Sequence, residues 1–226
     1  DALPIYRVVA PVVGAFRLVA QAIQDRELVH RHQFYGRYAE RLQVRDLLDQ
    51  IGVRYAVVAA ELDEVALPGE AAENYVLRVA LEKARAGRSL TTRRPDTGLL
   101  GADTAVVVEG RVLGKPRDAD DAASMMRLLS GRTHRVLSAV ALVGTRERRA
   151  MSVSEVAFRV VAPEEARAYW ETGEPADKAG GYAIQGLGAL FVTDLRGSYS
   201  GVMGLPLYET ARLLAAEGIE VLDTPA

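Results

Sequence analysis

The stretch Gly98–Pro116, GLLGADTAVVVEGRVLGKP, decides the fold of this 226-residue chain. Its apolar run, Ala105–Val108, ends at the turn dipeptide Glu109-Gly110, and a second short run then returns towards Lys115. Two β-type runs around such a dipeptide predict a hairpin. Asp103 and Lys115 flank its strands at similar distances from the turn, so antiparallel pairing would bring them to the same end of the ribbon.

One carboxylate and one ammonium beside glycines suit a phosphate and its metal, because glycine lets the backbone approach a ligand closely. The same residues are also compatible with an ordinary surface hairpin, since short motifs are weak signals. The hairpin alone therefore leaves both interpretations open.

Composition excludes several classes of function. Hydrophobic residues make up 49% of the chain and the formal charge is −2, which is typical of a globular protein without a basic field for nucleic acid. There is no cysteine, so disulfides, thiolate catalysis and cysteine-bound metals are excluded. His30, His32 and His134 are spaced unfavourably for a zinc site. Neither a membrane-spanning segment nor a convincing signal peptide is expected, so the expected location is cytoplasmic.

Periodicity predicts an α/β protein with a mixed twisted sheet flanked by helices. The predicted helices cover residues 42–51, 71–86, 118–129, 163–170 and 206–216, and the predicted strands, besides the hairpin, cover residues 53–59, 133–144, 151–161 and 189–195. Residues 6–13 are compatible with a strand and residues 15–23 with a helix or a strand. Helices alternate with strands, but two hairpins interrupt the alternation, which favours a mixed sheet over a purely parallel one.

A second segment, Asp177–Gly188, combines an acid, a lysine and several glycines. Lys178 could neutralise phosphate, and Gln185 could read a base edge with its donor and acceptor. Taken alone, the segment is better explained as a tight loop with an Asp–Lys ion pair, because loops commonly carry such residues. Three familiar motifs are rejected on spacing, namely a Walker loop at residues 110–116, a dinucleotide fingerprint at 186–188 and a nucleophile elbow at 197–201.

Taken in order, however, these segments resemble the Maf family of nucleoside triphosphate pyrophosphatases from about Arg45 to Leu214. The motifs that carry the resemblance are Gly101-Ala102-Asp103-Thr104, Leu113-Gly114-Lys115-Pro116, Leu129-Ser130-Gly131 with His134, Asp177-Lys178-Ala179-Gly180-Gly181-Tyr182-Ala183-Ile184-Gln185-Gly186, Gly197-Ser198-Tyr199 and Gly204-Leu205-Pro206-Leu207. The resemblance implies two lobes with a cleft, in a Maf/ITPase-like domain over residues 37–226. Residues 1–36 form an atypical N-terminal segment.

The activity implied is hydrolysis of a nucleoside triphosphate to the monophosphate and pyrophosphate, assisted by a divalent metal cation such as Mg²⁺ or Mn²⁺. The resemblance makes Asp103, Lys115 and Glu64 the expected catalytic residues, with Asp103 as proton acceptor. A triphosphate is strongly negative, so cations are needed before water can approach its phosphorus. Asp103 could either deprotonate that water or hold the metal. Asp103 and Glu64 are accordingly the candidate metal ligands.

The resemblance also assigns the expected substrate-binding residues. Thr104 and Gln185 match positions that distinguish the branch acting on dTTP and UTP, and both side chains could hydrogen-bond a thymine or uracil edge. Lys83 and Lys178 match lysines suited to the triphosphate. The nucleotide is the expected partner, nucleic acid and membranes are not, and the family suggests a homodimer.

One departure affects the expected phosphate site. The family opens with a strand and a Ser-x-Ser-Pro-Arg-Arg turn, which should fall at residues 39–44, but the chain reads Ala-Glu-Arg-Leu-Gln-Val there. Val44 occupies the place of the substrate arginine. Either residues 1–36 rebuild the phosphate grip or the grip is incomplete. The alternative function is therefore a catalytically impaired nucleotide-binding or partner-binding protein, and RNA binding through Arg88, Arg93 and Arg94 is a weaker third hypothesis.

Overall fold

The computed structural model of the protein describes residues 8–12, 39–59, 62, 64–90 and 98–221; for residues 8–12, 39–42 and 59 it describes the backbone alone. The strands are β1 (Val8–Val12), β2 (Tyr55–Ala59), β3 (Leu99–Val108), β4 (Arg111–Leu113), β5 (Thr133–Val143), β6 (Glu147–Phe158) and β7 (Val192–Arg196). The helices are α1 (Ala39–Gln50), α2 (Ala72–Leu90), α3 (Ala119–Leu129), α4 (Pro163–Glu171), α5 (Tyr199–Val202) and α6 (Leu207–Ala215). Short 3₁₀ turns lie at Glu174–Asp177, Ala179–Gly181 and Leu187–Phe191.

The strands form one mixed sheet, in the order β2-β1-β3-β5-β6-β7, with β4 paired to β3. Strand β1 is parallel to both β2 and β3, whereas β3 to β7 pair antiparallel. The expected α/β fold with a mixed sheet is confirmed. Strand β1 belongs to the N-terminal segment of residues 1–36, and the domain boundary between residues 36 and 37 stays a prediction.

Side chains of β3 alternate between two hydrophobic cores on opposite faces of the sheet, as the period of a strand requires. The core under helix α2 receives Leu99, Ala105 and Val107. The larger core, which also takes side chains from α1, α3, α4 and α6, receives Leu100, Val106 and Val108. Burial of the whole apolar run from Ala105 to Val108 explains why no polar residue interrupts it.

Turn and cap chemistry agrees with the sequence at three places. Gly52, with φ 69°, follows helix α1, and Asp118 caps α3 by accepting a 2.8 Å hydrogen bond from the backbone N–H of Asp121. The hairpin turn places Glu109 at φ 49° and Gly110 at φ 75°. Positive φ at both turn residues matches the twist of two-residue hairpins.

Several expected boundaries were wrong, among them the start of α1, which is Ala39 rather than residue 42, and the end of β6, which is Phe158 rather than residue 161. Gly87 was expected to end helix α2, but the helix continues to Leu90, because Gly87 is buried and the cost of an interior glycine, about 1 kcal/mol, is overridden by packing. Strand β6 begins at Glu147 rather than at Met151, since it pairs with β5 up to the turn. Residues 189–191, expected in strand β7, belong to the 3₁₀ turn Leu187–Phe191. Residues 15–23 lie outside the described residues.

The β3 edge that faces away from β5 carries two separate ladders. Strand β1 pairs with it at Leu99, and β4 pairs with it from Val106 to Val108. Residues 100–105 lie between the two ladders, and on this edge they pair with neither β1 nor β4. We call this interval the strand gap. None of the helices described is long and apolar enough to cross a bilayer.

Candidate active site

Asp103 and Thr104 lie side by side on β3 at the strand gap. Because neighbouring strand residues point to opposite faces, Asp103 faces helix α2 and Thr104 faces the larger core. The predicted site residues therefore fall into two groups around one opening: Lys83 and Glu64 join Asp103, whereas Lys178 and Gln185 lie in a loop on the side of Thr104.

The acid–lysine cluster consists of Lys83, Asp103 and Glu64. The Lys83 ammonium donates to Asp103 Oδ1 at 2.8 Å and lies 3.0 Å from Glu64 Oε1. The Asp103 side chain is 7% exposed and that of Lys83 is 13% exposed, while that of Glu64 is 33% exposed. One cation is thus shared by two carboxylates, and Asp103 is the more buried of the pair.

This environment fixes the charge of Lys83. Burial alone would lower its pKa, but the charges of Asp103 and Glu64 and their hydrogen bonds outweigh burial, so the pKa of Lys83 is raised. Lys83 therefore stays protonated at neutral pH. Because two carboxylates surround this one ammonium, the cluster suits a metal cation that accompanies a phosphate rather than a bare anion.

A close contact between α2 and β3 brings the cluster together. A Cβ on Gly101 would overlap Ala80 O and come within 2.7 Å of Ala84 N, so only glycine allows the helix to lie this near the strand. Tyr75 on the same helix donates from its hydroxyl to the Glu64 carbonyl at 3.1 Å and holds that loop residue in place. The Tyr75 contact could not be predicted from the sequence, because the position of Tyr75 on α2 fits a core residue equally well.

Thr104 belongs to a chain of hydroxyl contacts on the other face. Its Oγ1 lies 3.0 Å from Ser138 Oγ, directly opposite it on β5, and Ser138 Oγ donates to the Gly201 carbonyl on α5. Ser138 is buried and Thr104 is partly exposed. Sequence reasoning missed Ser138, since only the strand register reveals that it faces Thr104.

Lys178 and Lys115 lie on adjoining segments. The Lys178 ammonium contacts both carboxylate oxygens of Asp177, at 2.9 and 3.0 Å, and the side chain is 9% exposed. Next to it, Gly180 N–H donates to the Gly114 carbonyl at 2.9 Å, so the glycine loop docks beside the exposed Lys115. Gly180 has φ 72° and packs on Val106, and this conformation and close contact explain the glycine.

Gln185 occupies an exposed turn held by buried neighbours. Tyr182 contacts His134 Nε2 through its hydroxyl at 2.7 Å, and burial lowers the pKa of His134 to about 4. On the other side of the turn, the Glu174 carboxylate accepts from Leu187 N–H, Gly188 N–H and Tyr169 OH. Two anchors thus leave Gln185 at the surface between them.

Residues 39–44, where the family's arginine turn was expected, are helical. Helix α1 begins at Ala39, Val44 packs against the larger core, and Arg45 is exposed. Residue 44, expected from the resemblance to correspond to the substrate arginine, is thus an apolar side chain packed against the core.

Asp103 and Glu64 fit a hard divalent cation only in part. Within the described ranges no group of three acidic or histidine side chains could hold a metal alone. Mg²⁺ is commonly held by one or two carboxylates together with water and substrate phosphates, and the two carboxylates around Lys83 supply that protein share.

This arrangement defines an α/β protein with charged groups suited to a phosphate-bearing ligand at a gap in its sheet. The family model described as "Maf-like protein" matches residues 43–217, and the chain belongs to that family. It is 56% identical to a dTTP/UTP pyrophosphatase of Alkalilimnicola ehrlichii, over 75% of this chain and 86% of that protein. It is 53% identical to a dTTP/UTP pyrophosphatase of Aromatoleum aromaticum, over 77% and 90%.

A crystal structure of a nucleoside-triphosphatase / dITP/XTP pyrophosphatase from Mycobacterium abscessus aligns with 93% of each chain at 18% identity and a TM-score of 0.40. The match to the family and to its curated members confirms the resemblance from sequence. The matched region begins at residue 43, after the atypical segment.

Proposed function

We propose that the protein hydrolyses nucleoside triphosphates, with dTTP and UTP favoured, to the monophosphate and pyrophosphate. The observation that carries this proposal is the buried, protonated Lys83 held between Asp103 and Glu64 at the strand gap. It gains support from relatives above 50% identity that are named dTTP/UTP pyrophosphatase.

In the proposed reaction, water attacks the α-phosphorus and its proton passes to Asp103, while the bond to the bridging oxygen breaks and pyrophosphate leaves. Asp103 is suited to this role because Lys83 keeps a compensating charge beside it. Lys115 and Lys178 would neutralise the phosphates from the opposite side of the gap. Fixed cations at the developing charge are the strongest contribution that such a site can make.

A divalent cation, Mg²⁺ or Mn²⁺, is part of the proposal, with Asp103 and Glu64 as the residues that would hold it. Such an ion supplies charge neutralisation and polarises the phosphoryl oxygens. Lys83 contacts one oxygen of each carboxylate, Oδ1 of Asp103 and Oε1 of Glu64, and so holds the two acids close together.

Base selection is proposed for Thr104 and Gln185. Thymine and uracil present one N–H donor between two carbonyl acceptors, and a hydroxyl together with an amide can match that edge. The partly exposed Thr104 and the exposed Gln185 lie on the same side of β3, on segments that pack against the larger core.

The alternative is a protein that binds nucleotide without turnover, and Val44 is the observation behind it. The relatives' names favour hydrolysis over this alternative. Restoring Ser-Pro-Arg-Arg at residues 41–44 separates the two, because an impaired parent should gain activity whereas a competent parent should change little.

Pyrophosphate release from dTTP, UTP, dCTP and ATP with Mg²⁺, Mn²⁺ or EDTA tests the function. We expect turnover of dTTP and UTP that EDTA abolishes. Absence of pyrophosphate at high protein concentration would contradict the proposal, and equal release with EDTA would contradict its metal requirement. The cytoplasmic location and the homodimer stay predictions, the latter open to light scattering.

A further inference from the structure

We propose that Ser138 is a specificity-determining residue that acts through Thr104, by fixing the Thr104 hydroxyl as a hydrogen-bond acceptor towards the base. The inference rests on the proposed function, since it takes Thr104 to contact the nucleobase. It adds a positioning residue on a different strand and a direction for the hydrogen bond.

The direction of the hydrogen bond between Thr104 and Ser138 follows from the single proton that each hydroxyl carries. Ser138 Oγ donates to the Gly201 carbonyl oxygen, which can only accept. A serine hydroxyl has one proton, so Ser138 has none left for Thr104. The 3.0 Å contact between the two hydroxyls must therefore be a donation from Thr104 Oγ1 to Ser138 Oγ.

The Gly201 carbonyl is held where Ser138 needs it. Gly201 N–H donates to Ser198 Oγ at 3.0 Å, and Ser198 is itself tied to Ser154 by a donated backbone N–H at 2.9 Å. Ser154 Oγ in turn donates to the Ser198 carbonyl at 3.3 Å. The Gly201 carbonyl also accepts from Gly204 N–H at 2.9 Å, a contact that does not involve Ser154, so the carbonyl keeps its direction when the Ser154 hydroxyl alone is removed.

The consequence is chemical selectivity. With its proton committed, Thr104 Oγ1 can offer a ligand only lone pairs. N3 of thymine or uracil carries a proton and can donate to it, whereas N3 of cytosine is an acceptor and would face another acceptor. Two buried acceptors that face each other cannot form a hydrogen bond, and this loss disfavours cytosine. Ser138 is 1% exposed, so water cannot readily replace either of its partners.

The test compares Ser138→Ala with Ser154→Ala. Both remove one serine hydroxyl that fastens the same segment, but only Ser138 contacts Thr104. The readout is the ratio of kcat/KM for dTTP to that for dCTP, together with the ratio of affinities for their α,β-imido analogues measured by calorimetry. We expect Ser138→Ala to lower both ratios by roughly tenfold, because Thr104 then becomes free to donate to cytosine N3, and Ser154→Ala to leave them unchanged.

A Thr104→Val background supplies the second control. There the Ser138→Ala change should have no further effect on either ratio, since its route to the base is gone. Unchanged ratios in Ser138→Ala, an equal loss in Ser154→Ala, or a full effect in the Thr104→Val background would each overturn the inference. A parent that binds the dTTP analogue preferentially but releases no pyrophosphate refutes the proposed function, while the affinity ratios still decide the role of Ser138. A parent that binds neither analogue refutes both.

Discussion

The two faces of strand β3 at the gap differ in chemistry although their key residues are neighbours in sequence. Asp103 enters a cluster of three charged groups under α2, whereas Thr104 enters a chain of neutral hydroxyls that ends on a backbone carbonyl. Charge on one face suits phosphate chemistry, and directed neutral hydrogen bonds on the other suit recognition of a base. In the proposed function, one strand period thus separates the catalytic acid Asp103 from the base-selecting hydroxyl of Thr104, while Lys178 would reach the phosphates from the Thr104 side.

The largest test of this division is Asp103→Asn. The substitution keeps the shape but removes the proton acceptor, so kcat should fall by about 10²–10⁴-fold with little change in base preference. Steady-state pyrophosphate release measures the effect. Asp121→Asn, a partly exposed acid paired with the exposed Arg117, is the control and should retain activity. A loss below tenfold for Asp103→Asn would break the assignment of catalysis to this face.

Removal of the Lys83 ammonium tests the charged face of β3 through the stability of the protein. Lys83→Met leaves Asp103 and Glu64 facing each other without compensation, which should cost about 3 kcal/mol of unfolding free energy. It should also move the acidic limb of the kcat/KM profile to higher pH, since like charges raise carboxyl pKa values. Urea denaturation and the pH profile provide the measurements.

The matched control for Lys83→Met is Arg85→Met, on the same helix. Arg85 pairs with Glu147 in an exposed ion pair, and such pairs contribute at most about 1 kcal/mol. Equal destabilisation of the two variants would show that the cluster around Lys83 is no more than a surface pair.

The stability of the Thr104 side of the sheet at low pH depends on His134. Its pKa is about 4 in the folded protein against an ordinary value of 6.5, so between those pH values the unfolded chain binds more protons. Stability should therefore fall as pH drops from 6.5 to 4, by about 3 kcal/mol, and this contribution should level off below pH 4. Chemical denaturation across that range measures it.

A His134→Gln variant isolates this contribution, because an amide can still hydrogen-bond the Tyr182 hydroxyl but does not titrate. The difference in stability between parent and variant should shrink towards pH 4. A difference independent of pH would contradict the buried, neutral state of His134.

The smallest expected effect concerns the turn that carries Gln185. Glu174→Gln places an amide N–H₂ where a carboxylate oxygen accepts a backbone N–H, which should loosen the turn and raise KM for dTTP by about tenfold while kcat changes little. Glu171→Gln, an exposed residue at the end of α4, is the control. A fall in kcat with unchanged KM would instead show that this turn acts in catalysis and not in substrate recognition.

Much of the fold was accessible from sequence because its signals are local. The turn at Glu109-Gly110, the cap at Asp118 and the glycine after α1 each act within a few residues and were predicted correctly. The predicted end of α2 at Gly87 was wrong, because burial of Gly87 in the core outweighs its low helix propensity. The resemblance to a family supplied the expected site residues, which hydrophobic periodicity alone did not distinguish from ordinary turns.

The sequence by itself determined the hairpin around Asp103, the mixed sheet and the family. Only the tertiary structure decided that Asp103 shares Lys83 with Glu64, that Thr104 meets Ser138, and that both pairs flank one gap in the sheet. The physical reason is that strand register and the approach of helix to strand depend on contacts between residues far apart in the chain. Gly101 shows this best, because its need for glycine arises from a helix that lies some twenty residues earlier, at Lys83 and its neighbours.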